Sequence, residues 1–172
     1  LFLAASNDFN SPTENIVRAM NSMPSGVDKR LVMPAHYNHS SSPEAAIADK
    51  MWFEQHLKGT GFIFPHTPQG ELILKTADRV PRFRVRSDAD CKLPIRSVNI
   101  YYSYGRQPQL RYWADALAVK TDDGVWEGRC PTFYDDEPLF AYANVTYDIE
   151  HNFKSPNTVD TTGLLVSSTY HR

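Results

Sequence analysis

Leu1-Phe2-Leu3-Ala4-Ala5-Ser6-Asn7-Asp8 and Leu31-Val32-Met33-Pro34-Ala35-His36-Tyr37-Asn38-His39 are the two stretches from which the fold is read. Each is an apolar run of strand length that stops at polar, ionisable residues, and each leads into a helix with a start signal. Ser11-Pro12-Thr13-Glu14 predicts Ser as N-cap, Pro at the first helical position and Glu closing a capping box. Ile16, Val17, Met20 and Met23 then recur at helical spacing, and Pro24-Ser25-Gly26 ends the helix. Ser42-Pro43 repeats the same start chemistry. Ala46, Ile47, Met51, Trp52 and Leu57 mark the buried side, and Gly59 stops the second helix. Two strand-helix units of about 30 residues each predict a doubly wound α/β sheet.

The texture changes from Gly61 onward. Short apolar or alternating runs follow at Phe62–Phe64, Glu71–Lys75, Arg82–Arg86, Val98–Tyr104, Ala116–Thr121, Val125–Arg129 and Leu139–Tyr147. They are rich in Val, Ile, Tyr, Phe and Thr and lack helical period, which predicts an antiparallel, Ig-like β-sandwich. Asp122-Asp123-Gly124 is a hairpin signal between two of these runs. The expected architecture is therefore α/β followed by all-β: residues 1–60 as strand-helix units and residues 61–172 as a β-sandwich, with the boundary between residues 59 and 68. The tail from Asn152 holds one more strand-like run, Gly163–Ser168, and ends mid-pattern. The chain also opens without Met inside an apolar strand, so it reads as a portion of a longer polypeptide.

With 172 residues and 41% apolar content, a packed core is within reach. The longest apolar run falls well short of the ~18 residues that span a bilayer. The formal net charge of -2 and the lack of a basic cluster give no reason to expect nucleic acid or an anionic membrane as partner. Cys91 and Cys130 form one possible pair, which leaves both a disulfide and two buried thiols open, and their spacing has no metal-site character.

Asp8 stands at the carboxyl end of a strand, where such sheets place functional groups. There it could accept a hydrogen bond from a catalytic imidazole; the plainer reading is a loop acid that caps the next helix. His39 and His36 compete for the base. Loop reach favours His39, with His36 as runner-up supporting the loop or lining the pocket. Together the two histidines also fit a polar surface loop or a two-histidine metal site, though a His-x-x-His outside a helix is weak evidence for metal. No metal and no cofactor is expected. Trp52 and Phe53 read as core, and His56 as a contact with the helix C-terminus. Tyr101, Tyr102, Tyr104, Tyr112, Trp113 and Phe133 read as core or as a carbohydrate or peptide platform. Asp135-Asp136-Glu137 reads as a solvated loop or a calcium site.

Four segments carry a resemblance: Leu1-Phe-Leu-Ala-Ala-Ser-Asn-Asp-Phe-Asn-Ser-Pro12, Pro34-Ala-His-Tyr-Asn-His39, Trp52-Phe-Glu-Gln-His-Leu-Lys-Gly59 and Asp136-Glu-Pro-Leu-Phe-Ala-Tyr-Ala-Asn-Val-Thr-Tyr147. The chain resembles the C-terminal part of bacterial α/β-hydrolases of the dienelactone hydrolase, acetyl xylan esterase and prolyl oligopeptidase-like group, with an appended β-domain. In such enzymes the triad runs Ser, acid, His along the chain. The resemblance implies Asp8 as triad acid and His39 as general base. It also implies an ester, less readily a peptide, as substrate (a small molecule or a glycan-linked ester), and a secreted or periplasmic protein. No Gly-x-Ser-x-Gly occurs, so the nucleophile and the oxyanion hole are expected upstream, in the N-terminal part of the same polypeptide, and the chain alone is expected to be inactive. Two other readings stand beside this one. The first is a non-catalytic protein whose aromatic β-domain recognises a glycan or a protein partner. The second is a metal-dependent enzyme using Asp8, His36 and His39.

Overall fold

The computed structural model describes residues 1–122, 124–133, 136–149 and 163–172. Its architecture is mainly β, with 33% strand, 18% helix and two α-helices among the described residues. Two sheets organise it. A six-stranded sheet has the order β1-β2-β10-β9-β5-β6, from β1 (Phe2–Leu3), β2 (Leu31–Val32), β5 (Ile95–Tyr104), β6 (Ala114–Asp115), β9 (Leu139–Asp148) and β10 (Gly163–Ser167). A four-stranded sheet has the order β3-β4-β8-β7, from β3 (Gln69–Ile73), β4 (Arg82–Arg86), β7 (Val119–Asp122) and β8 (Val125–Arg129).

This overturns the expected fold class, α/β strand-helix units followed by all-β. The two N-terminal strands pair in parallel, Phe2 with Leu31 and Leu3 with Val32, but each is only two residues long. On its other edge, β2 meets β10 in antiparallel register, Ser167 opposite Leu31. The parallel pair is thus the border of an antiparallel sheet built mostly from the second half of the chain. The physical reason is coverage. A doubly wound parallel sheet needs helices along both faces, and two helices cannot cover one, so the long strands β9 and β10 supply the apolar surface instead.

The strand β9 shows how the layers form. Phe140 and Tyr142 face one side, where α1 (Thr13–Ser22) lays down Val17 and Met20 beside Trp113 and Met33. Leu139, Ala141 and Ala143 face the other, against Phe83 and Val85 of the four-stranded sheet. Val145 and Tyr147 continue that second face under α2 (Pro43–Phe53), which contributes Ile47, Ala48 and Met51. The two helices therefore sit on opposite faces of one sheet.

Most strands in the second half fall where alternation places them; Phe62–Phe64 forms none, with Phe64 buried in the core instead. Asp123 of the expected hairpin lies outside the described residues; β7 and β8 are antiparallel, and Gly124 adopts a φ of 66°, open to glycine at no steric cost. Past Phe53 the second helix widens into a π-helical turn, Glu54–Lys58, and Gly59 closes it in the left-handed region with φ 60°. Phe53, expected in the core, is exposed, because the core-facing positions are Ile47, Ala48 and Met51. Cys91 and Cys130 are free thiols, and burial pushes the Cys130 thiol up to about 12.

Candidate functional site

Ser6, Asn7 and Asp8 form the turn leaving β1, and His36 to His39 the loop leaving β2; because the two strands are parallel, both loops emerge at the same sheet rim. The backbone ties them: Asn7 N–H donates to the Tyr37 carbonyl at 2.9 Å, and His36 N–H to Ser6 Oγ at 2.8 Å. That second bond holds His36 at φ 65°, a left-handed conformation uncommon for a residue with a Cβ.

The structure brings Asp8 and His39 together. The Asp8 Oδ2 lies 3.0 Å and Oδ1 3.2 Å from His39 Nδ1. Oδ1 also accepts the N–H groups of Asn10 at 2.8 Å and Ser11 at 3.0 Å, so the acid does cap the following turn as well. Burial works to raise the Asp8 carboxyl, but the hydrogen bonds from His39, Ser11 and Asn10 outweigh it and hold the group below the usual carboxylate range. The Asp8 side chain is 10% exposed and that of His39 59%, so the carboxylate is covered while the imidazole reaches solvent.

With the carboxylate accepting at Nδ1, the ring's remaining lone pair is on Nε2, which has no hydrogen-bond partner among the described residues. A cavity of about 570 Å³ opens beside the pair, walled by Asp8, His39, Ser41 and the chain from Phe2 to Ala5, with Ile16 of α1 and Ala45 of α2 on its flanks. Phe9 stands at its rim, its ring 6.3 Å from that of His39. This arrangement can accept a proton at Nε2 and stabilise the resulting imidazolium through Asp8.

His36 goes elsewhere. Its ring packs edge-on against Tyr101 at 6.0 Å and tilted against Tyr112 at 5.6 Å, and it does not line the cavity. Among the described residues no three His, Cys, Asp or Glu side chains cluster as a metal site, and Asp135 of the acidic run lies outside the described residues. Of the aromatic residues in the second half, Trp113 is fully buried, Tyr101, Tyr102 and Tyr104 are partly buried, and Tyr112 and Phe133 are exposed. Trp52 packs edge-on against Phe64, and His56 pairs with Asp28 at 3.4 Å.

Sequence reasoning missed the residues that brace the site from the second half. Trp113 donates its indole N–H to the Ser6 carbonyl at 3.2 Å, and the Asn7 side chain donates to the Arg111 carbonyl at 2.6 Å. Arg111 is itself buried, ion-paired to Glu14 at 2.7 Å and stacked over Phe140 with its guanidinium 3.6 Å from the ring centroid. The two hydrogen bonds to Asn7 and Ser6 join positions more than a hundred residues apart, and no local pattern announces any of these contacts.

Comparison with protein-family models, with curated proteins and with solved structures found no match to this chain.

Proposed function

We propose that this chain carries the acid and the general base of a hydrolase that cleaves esters, and less readily amides, through an acyl-enzyme. The observation behind the proposal is the Asp8–His39 pair: a covered carboxylate at 3.0 Å from Nδ1, with Nε2 left unpartnered beside a cavity. In this reading a hydroxyl nucleophile attacks the ester carbonyl and His39 Nε2 takes its proton. The same nitrogen returns the proton to the leaving alcohol, and a water repeats the cycle to release the acid. Asp8 fixes the ring's tautomer and offsets the charge of the imidazolium.

None of the described hydroxyls beside the cavity bonds to Nε2; we take the nucleophile to lie in the N-terminal part of the same polypeptide, as the resemblance implies. Among the described residues β1 pairs with β2 alone, and the chain from Phe2 to Ala5 forms one wall of the cavity. The resemblance of the Asp8 and His39 segments to the dienelactone hydrolase, acetyl xylan esterase and prolyl oligopeptidase-like group supports the same reading, although the α/β sheet it implied does not form.

The test is turnover of 4-nitrophenyl acetate, with fluorophosphonate labelling, by the longer polypeptide. His39→Ala should lower kcat/KM by about a thousandfold or more, and His36→Ala by no more than a few fold. The isolated chain should neither turn over nor label. Near-normal turnover by His39→Ala would remove the imidazole from the mechanism.

A further inference from the structure

A second cavity, of about 240 Å³, lies on the other side of the His36–His39 loop, between the first turn of α2 and the strands β5 and β9. Tyr37, Glu44, Arg96, Asn99, Tyr101 and Thr146 line it. Glu44 Oε2 is buried there and has no hydrogen-bond partner. The side chains of Asn99, Tyr101 and Thr146 likewise make no hydrogen bond among the described residues. A buried acceptor without a donor costs free energy, more so when it is ionised. Of these four side chains Glu44 supplies the buried unpaired atom, the other three being partly exposed, and that buried oxygen points to a polar occupant.

We propose that this cavity binds a small organic cation through a primary ammonium group seated on Glu44. Charge decides between the candidates. Arg96 is paired with Asp148 at 2.6 Å, and no cation among the described residues pairs with the charge on Glu44. A hydroxyl would satisfy the hydrogen bond and leave that charge unmatched, whereas an ammonium does both and also gains from the neighbouring tyrosine rings. A divalent metal needs several hard ligands, and among the described residues Glu44 is the only acidic side chain lining this cavity. Burial, followed by the fields of Asp115 and Glu44, raises the Tyr101 phenol and so keeps its hydroxyl protonated, as a donor or acceptor for the ligand. The volume, below that of a typical drug-sized site, limits the ligand to a few heavy atoms beyond the amine. The inference stands apart from the Asp8–His39 chemistry and does not depend on it.

The experiment is an NMR titration of the ¹⁵N-labelled chain with n-butylammonium chloride, using sodium chloride at matched ionic strength and n-butanol as the neutral isostere. The expected result is a saturable shift in the backbone amides of Tyr37, Asn99 and Tyr101 within the millimolar range. n-Butanol should give no saturable shift, and Glu44→Gln should weaken binding at least about tenfold while keeping a dispersed, folded spectrum. An equal response to n-butanol, an unchanged affinity in Glu44→Gln, or shifts that never saturate would overturn the proposal. Should Glu44→Gln fail to fold, Tyr101→Phe, expected to weaken binding by a few fold, carries the same comparison, and unchanged affinity there together with an equal n-butanol response would overturn it.

Discussion

Asp8 is asked to do two things with one carboxylate: terminate the turn after β1 through Asn10 and Ser11, and hold the imidazole of His39. Both favour its ionised form, and together they outweigh burial. The folded-state pKa therefore lies below the unfolded one. The ionised group stabilises the fold above the unfolded value of about 4, and that contribution fades as pH falls through the folded value. Thermal unfolding followed by circular dichroism should show Asp8→Asn less stable than the parent at neutral pH, with the gap closing as the pH drops below about 4. A gap independent of pH would mean that the carboxylate's charge plays no part. Asp8 and His39 were both legible in the sequence, because a polar residue ending an apolar strand must lie at the sheet rim. The left-handed backbone of His36 was not, since it is imposed by a hydrogen bond from its own N–H to Ser6 of the neighbouring loop.

Ser11-Pro12 and Ser42-Pro43 read alike, yet they begin their helices differently. Ser42 caps α2 as expected, its Oγ accepting the Ala45 N–H at 3.1 Å. At α1 the N-cap is Pro12, with no side-chain cap, and the capping box expected from Ser11 and Glu14 does not form. Asp8 has already taken the Ser11 N–H, and Glu14 turns away to Arg111 and Tyr170. A longer-range charge pair thus overrides a local motif of about 1 kcal/mol. Ser42→Ala should cost about 1 kcal/mol in chemical denaturation, and Ser11→Ala should stay within about 0.5 kcal/mol. Equal losses would show that the Ser11 hydroxyl caps α1 after all.

The two sheets come close together at Gly128 of β8. A Cβ there would lie 2.7 Å from that of Ala116 and 3.3 Å from that of Ile100, both on strands or links that cannot give way cheaply. Gly128→Ala should destabilise the chain by about 1–3 kcal/mol, read from the denaturation midpoint; an unchanged midpoint would mean that the sheets slide apart at no cost. This contact lies where the chain passes from β6 in one sheet to β7 in the other, and Leu117 makes that passage with φ 49°. The Arg111 cluster joins the N-terminal helix to the C-terminal segment in the same way, through side chains that meet only after folding. Strand positions such as Arg82–Arg86, the cap at Ser42 and the glycine stop at Gly59 follow from local patterning, because period, turn chemistry and capping act over a few neighbouring residues. Which strands share a sheet does not follow from it: every backbone edge offers the same N–H and C=O groups, so Leu31 pairs with Ser167 because burial of the assembled layers is then greatest. The sequence alone therefore determined most of where the chain runs extended or helical, Phe62–Phe64 excepted, and that Asp8 and the two loop histidines follow strand ends at the rim. The tertiary structure decided that the parallel strands end an antiparallel sheet and that Trp113 and Arg111 brace the site from across it.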